Sequence, residues 1–143
     1  MLFKTMFEDT KVVPQVIKAA DNETLLGSGV DMAGYEGVAF YVLALKGEAL
    51  DFTIKAQQAQ VSDYSDAADL KDTAVAFSTT VGADGSTMLE IYRPTEQYVR
   101  PSIGVPNATA ATPVAVIAIL YGGRVRPEVN VGEIHVSPDE GTA

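Results

Sequence analysis

The sequence predicts an all-β protein with an antiparallel β-sandwich or jelly-roll-like fold of about eight strands. Three observations support this fold class. Apolar runs of strand length recur along the chain, Gly, Pro, Asn and Asp separate them, and one run alternates strictly between apolar and polar side chains. The chain has 143 residues, which is enough to bury a real core in one unit. We therefore predict a single β domain over residues 1–143.

The first predicted strands differ in how they should be buried. Residues 11–20 contain Pro14, which a sheet tolerates at an edge or a bulge. Residues 38–45 are apolar throughout, which predicts a strand covered on both faces. Residues 50–58 alternate, which predicts one buried and one exposed face.

The second half of the chain continues the pattern. Residues 73–81 and 87–93 flank the step Asp84-Gly85, and an Asp-Gly step favours positive φ and a β-hairpin. The remaining predicted strands cover residues 97–105, 113–121 and 129–136.

One segment, residues 62–72, interrupts the strands and carries aspartates at positions 63, 66, 69 and 72. This spacing predicts a single helical turn capped by Ser62 or Asp63. The aspartates suggest a calcium site, but calcium loops place oxygen ligands at alternate positions around a central glycine. We therefore expect a solvated acidic surface and no metal site.

Composition excludes several classes of function. Nineteen acidic and ten basic residues give a net charge of −9, which argues against nucleic acid as a partner because phosphate binding needs clustered Lys and Arg. The absence of Cys excludes thiol catalysis and Cys-based metal sites. The longest apolar runs have eight residues, against roughly 20 in a spanning helix, so no membrane is expected.

No catalytic constellation is visible in the sequence. The only histidine, His135, lies in the predicted strand 129–136 without a marked nucleophile or second acid–base group. We therefore expect no enzymatic activity and no cofactor.

Two groups of residues are candidates for a partner interface. The first is an apolar N-terminus, which either packs on its own core or forms an arm over residues 1–10 that docks on a neighbouring subunit. The second is the set of arginines, which either form surface ion pairs within the subunit or dock on an acidic partner, including a sister subunit. An exposed loop at 104–113, with small side chains, is a further extension that could reach neighbours. The candidate interface residues are Leu2, Phe3, Met6, Phe7, Arg93, Arg100, Asn107, Arg124 and Arg126.

Two stretches of the sequence together resemble a known family. One is DMAGYEGVAFYV at residues 31–42, and the other is EQYVRP at residues 96–101, followed by a strand and by RVRP at 124–127. Their order over roughly residues 27–127 resembles small virion proteins of tailed bacteriophages, in particular capsid cement or decoration proteins with a jelly-roll-like fold. Tyr35, Tyr98 and Arg100 match the family pattern, and the resemblance implies that they define the fold.

The resemblance implies a non-enzymatic role in the virion. Such proteins bind the outer surface of the icosahedral head as homodimers or homotrimers and bridge subunits of the major capsid protein. Assembly in the bacterial cytoplasm and a final location on the outer face of the capsid follow from this role. The acidic charge agrees with the outer face, because packaged DNA would repel it.

Two alternatives remain open at this point. A head–tail connector or tail structural protein would share a small β fold but assemble around the portal axis. A carbohydrate-binding β-sandwich would need exposed aromatic side chains on one face, whereas Trp is absent and aromatic residues make up 8% of the chain.

Overall fold

The computed structural model describes residues 5–123, and these residues form two antiparallel sheets that pack face to face. One short helix precedes the strands. In chain order the elements are α1 (Met6–Asp9), β1 (Thr10–Ala20), β2 (Glu23–Leu26), β3 (Val30–Asp31), β4 (Gly37–Ala44), β5 (Asp51–Ala59), β6 (Ala68–Asp69), β7 (Val75–Ser78), β8 (Gly85–Tyr92), β9 (Tyr98–Val105) and β10 (Thr112–Tyr121).

The strand order is that of a jelly roll. The four-stranded sheet has the order β1-β10-β4-β8. In the second sheet β9 and β5 are central, β2 and β3 lie along the outer side of β9, and β6 and β7 pair with β5. Consecutive long strands therefore cross between the sheets, as in double Greek-key sandwiches. The all-β sandwich is confirmed. Residues 5–123 contain ten strands, of which seven were predicted, and the three additional ones are the short β2, β3 and β6.

The prediction that Pro14 lies at a sheet edge or at a bulge is confirmed, because both are present. β1 is the first strand of the four-stranded sheet, and its register against β10 shifts between Pro14 and Val16. The bulge turns Gln15 inward, where its side-chain oxygen accepts a hydrogen bond of 2.7 Å from the N–H of Gly29. The predicted strand at 129–136, with His135, lies outside the described residues.

The predicted hairpin at Asp84-Gly85 is wrong. β7 pairs with β5 and β8 pairs with β4, so this step carries the chain from one sheet to the other. The reason lies in the core, because β7 brings Phe77 onto Phe52, with ring centroids 5.2 Å apart. Burial of this pair outweighs the local preference of Asp-Gly for a hairpin.

The predicted helical turn near 62–72 is also wrong, because this segment forms tight turns and the short strand β6. Two of its aspartates accept hydrogen bonds from nearby backbone instead of capping a helix. Asp63 accepts the N–H of Ser65 at 2.9 Å, and Asp66 accepts the N–H of Gln60 at 2.9 Å. Within residues 5–123 the helix is α1, where Thr5 and Glu8 form a reciprocal capping box.

The core lies between the sheets and is built from alternate residues of the long strands. Phe40, Phe52 and Ile103 are fully buried there. No helix in the described part is long and apolar enough to cross a membrane.

Candidate interaction surface

The four-stranded sheet has an outer surface that is almost entirely apolar. In β10 the residues that point away from the core are Pro113, Ala115, Ile117, Ile119 and Tyr121, since their neighbours along the strand are buried. Residues opposite one another in a β-ladder point to the same side of the sheet, so the register identifies the outward residues of the other strands. We call this surface the apolar face; its members are Val12, Pro14, Ile17, Tyr41, Leu43, Leu45, Met88, Pro113, Ala115, Ile117 and Ile119.

Several large side chains of the apolar face are strongly exposed to solvent. Ile17 is 79%, Leu43 52% and Met88 47% exposed. Two shallow grooves of about 560 and 450 Å³ cross the face on either side of Leu43. Contiguous apolar surfaces of this kind mark interaction sites on proteins that stay in solution.

The expectation that residues 38–45 are covered on both faces is therefore wrong for the described chain. Phe40 and Val42 are buried in the core, whereas Tyr41 and Leu43 lie on the apolar face. The apolar character of the second side agrees with a cover that comes from outside residues 5–123.

The helix α1 extends the apolar face at its N-terminal side. Met6 is 63% exposed and lines the larger groove together with Tyr41 and Ile117. Phe7 is half-buried. Met6, one of the N-terminal candidates, thus joins the same surface as the sheet, whereas Leu2 and Phe3 lie outside the described residues.

One end of the apolar face carries a carboxylate, Glu90 on β8. It lies near Tyr121, whose ring crosses over Gly37, where a Cβ atom would come within 2.3 Å of the tyrosine hydroxyl. Burial, and then the hydrogen bond with Glu90, raise the pKa of Tyr121 to about 12. Among the outward-pointing residues of β1, β4, β8 and β10, Glu90 is the one with an acidic side chain.

This geometry predicts an alkaline loss of stability. The pKa of Tyr121 in the folded protein lies above the value of about 10 in the unfolded chain. Protonated Tyr121 therefore contributes fully to the stability of the fold below pH 10, and this contribution is lost as the pH rises towards 12. The urea midpoint of the wild type should therefore fall more steeply between pH 9 and 11.5 than that of Tyr121→Phe, as followed by far-UV circular dichroism. Tyr92→Phe, at an exposed position nearby, controls for loss of a tyrosine hydroxyl; an equally steep fall in Tyr121→Phe would contradict the prediction.

The outer surface of the second sheet is polar and internally hydrogen-bonded. Lys55 pairs with Asp69, and Gln57 donates to the same carboxylate at 2.8 Å. These hydrogen bonds, first that of Lys55 and then that of Gln57, lower the pKa of Asp69. Arg100 donates from Nε to Gln57 at 2.9 Å, which completes a chain of satisfied polar groups. The two outer surfaces of the sandwich thus differ sharply in chemistry.

The two described arginines that were predicted for the interface, Arg93 and Arg100, lie on different parts of the sandwich. The Arg100 guanidinium lies 4.7 Å from the centre of the Tyr64 ring, so its side chain is held within the subunit. Arg93 follows β8 at the end of the apolar face; its side chain is 69% exposed, lies over Tyr92 and is 3.7 Å from Glu36. The two arginines belong to opposite sheets, and Arg124 and Arg126 lie outside the described residues.

The loop predicted at 104–113 is shorter and more constrained than expected. β9 continues to Val105 and β10 begins at Thr112, which leaves residues 106–111 as the loop, with Asn107 exposed among them. Thr109 donates to the carboxylate of Glu48 from both its N–H and its hydroxyl, each at 2.7 Å, and these bonds lower the pKa of Glu48.

The apolar face is the feature that sequence reasoning missed. Its signal was present in the sequence, because β4 and β10 are apolar at both odd and even positions. Within residues 5–123 no cluster of acidic or histidine side chains could hold a metal ion.

The fold is similar to those of several solved structures. The PBSX exported protein XepA superposes with a TM-score of 0.59 at 13% identity, over 97% of this chain and 46% of XepA. The SPBc2 prophage-derived protein YomS gives a TM-score of 0.49 at 9% identity, over 84% of this chain and 97% of YomS. A subunit of Bacillus endospore appendages, described as disulfide-linked pili, gives 0.46 at 14% identity, over 85% of this chain and 96% of that subunit.

These similarities concern the fold. The chain spans about half the length of XepA, and at 13% identity a shared architecture is what the superposition establishes. No protein-family model matches the sequence, and no curated protein matches it either.

Proposed function

We propose that the protein is a structural component of a tailed-phage virion that decorates the outer surface of the icosahedral head and binds the major capsid protein through its apolar face. The observation that carries this proposal is the contrast between the two outer surfaces of the sandwich. One is apolar around Tyr41, Leu43 and Ile117, and the other is polar around Lys55, Gln57 and Arg100. A protein that lies on a shell needs one surface for the shell and another for water.

Three further features support a decorating role without chemistry. The sandwich is a rigid scaffold whose long strands are fixed by continuous ladders. The net charge of −9 suits the outside of a DNA-filled head better than its inside. The fold is shared with the PBSX protein XepA, which agrees with a phage origin.

Co-sedimentation with empty, expanded heads of the phage that encodes the chain tests the proposal. The wild type should pellet with the heads. Leu43→Lys should bind at least about tenfold more weakly, because the interface would bury an unpaired ammonium group on an apolar contact. Thr53→Lys adds the same charge at an exposed strand position on the polar surface and should bind like the wild type.

Each result has a definite consequence. Equal binding of Leu43→Lys and the wild type would remove the apolar face from the interaction. Failure of the wild type to pellet with heads, combined with binding to isolated tails or portals, would replace head decoration by a connector or tail role.

A further inference from the structure

The strand β8 has one unpaired edge within the described part of the protein. On one side it pairs with β4 over its whole length, from Gly85 to Tyr92, without a register shift. On its other side no described strand is paired with it. In an antiparallel ladder every second residue directs its N–H and C=O away from its partner, so this edge offers a regular row of donors and acceptors.

The other described edge strands carry features that hinder pairing. β1 contains Pro14 and a bulge, and Pro and bulges interrupt the row of backbone groups. At the edges of the second sheet, β2, β3, β6 and β7 have two to four residues each. β8 has eight residues and contains neither Pro nor Lys. Natural sheets protect their edges by such devices, and β8 lacks them.

We propose that β8 pairs antiparallel with β8 of a second copy of this chain across a two-fold axis. The two four-stranded sheets would then form one continuous eight-stranded sheet. This interaction goes beyond the proposed binding to heads and does not depend on it.

A second copy is favoured over another donor strand by self-complementarity. Glu90 is the only charged residue of β8. In a register centred on Leu89, this residue lies opposite Leu89 of the second copy. Each Glu90 then lies opposite Met88 of the other copy, so the two carboxylates do not face each other. Pairing of an edge with itself closes as a dimer, whereas pairing of β8 with β1 would produce an open filament and would meet the bulge at Pro14.

Continuity of the apolar face also favours this pairing. Met88 and Tyr92 point outward from β8 and are 47% and 55% exposed. In the paired form they would lie at the centre of a joint apolar face twice as wide. The dimer would thereby gain apolar contacts along its seam in addition to backbone hydrogen bonds.

Sedimentation velocity over about a hundredfold range of concentration should show a monomer–dimer equilibrium for the wild type. Thr87→Pro and Met88→Pro are the variants to compare. Of two adjacent residues in β8, one directs its N–H towards β4 and the other directs it to the unpaired edge. Proline at the second of these positions removes a hydrogen-bond donor from the edge and leaves the pairing with β4 intact. The variant that keeps the wild-type melting temperature should dimerise at least about tenfold more weakly. A folded proline variant that dimerises like the wild type, or a wild type that stays monomeric, would overturn the proposal.

Hydrogen exchange on the wild type decides the matter even where both proline variants unfold. Amides of β8 should gain protection as concentration rises, whereas those of β2 should not. Ile17→Lys, on the apolar face at the opposite side of the sheet, should dimerise like the wild type. If Ile17→Lys does not dimerise and the amides of β8 in the wild type gain no protection with concentration, the copies associate through the apolar face. That result would overturn pairing through the edge of β8.

Discussion

Replacement of Phe40 by Ala is expected to lower the free energy of unfolding by about 3–5 kcal/mol. Phe40 is fully buried on the central strand β4, and its ladder partners are Leu89 on β8 and Ala118 on β10. The substitution would remove an aromatic ring from the layer between the sheets, where paired strands on both sides restrict collapse into the cavity. Urea denaturation followed by circular dichroism measures the loss.

The next residue provides a matched control. Tyr41 is 40% exposed and points to the apolar face, so Tyr41→Ala should cost less than about 1 kcal/mol. Phe40→Leu keeps most of the volume and allows measurement in case Phe40→Ala does not fold. Similar costs for Phe40→Ala and Tyr41→Ala would contradict the orientation of β4, because a strand shifted by one residue exchanges its two faces.

The strand β4 shows which features of the fold the sequence predicts and which it does not. The apolar run at 38–45 predicted β4 almost to the residue, because strand-length apolar runs bounded by glycine have few alternatives in a β protein. Its covering could not be predicted. A sequence that is apolar at odd and even positions requires two covers, but it does not say whether the second comes from the same chain or from another molecule.

The errors at turns have a different physical cause. The Asp84-Gly85 step has the local preference of a hairpin, and only the long-range stacking of Phe77 on Phe52 decides that the chain changes sheets there. In residues 62–72, short acidic side chains can cap a helix or bind the backbone of turns, and their spacing alone does not separate the two. Local signals thus predicted the strands better than their connections.

A single added methyl group at position 29 should have a large effect on stability although it lies outside the core. Gly29 has φ +85°, and a Cβ atom there would lie 1.8 Å from the Tyr64 hydroxyl oxygen. The same hydroxyl donates to the carbonyl of Val99 at 3.0 Å, and the Tyr64 ring carries the guanidinium of Arg100. The absence of a side chain at Gly29 therefore makes room for the Tyr64 ring. Through its hydrogen bond to Val99, Tyr64 holds the turn at 60–66 against the second sheet.

Gly29→Ala should lower the free energy of unfolding by about 2–4 kcal/mol. Roughly 1–2 kcal/mol comes from the left-handed backbone, which disfavours any Cβ atom. The rest comes from displacement of Tyr64, which loses its hydrogen bond to Val99 and its contact with Arg100, worth about 1–2 kcal/mol together. Thermal and urea denaturation of the purified variant measure the total.

A double-mutant cycle separates the two contributions. In a Tyr64→Ala background the collision is absent, so Gly29→Ala should cost only the backbone share of about 1–2 kcal/mol. The coupling between positions 29 and 64 should then be at least about 1 kcal/mol. Tyr64→Phe, which keeps the ring but removes the hydroxyl, should relieve the collision only in part, because the Cζ atom also lies 2.4 Å from the added Cβ. Strictly additive effects at the two positions would show that Tyr64 does not occupy the space beside Gly29.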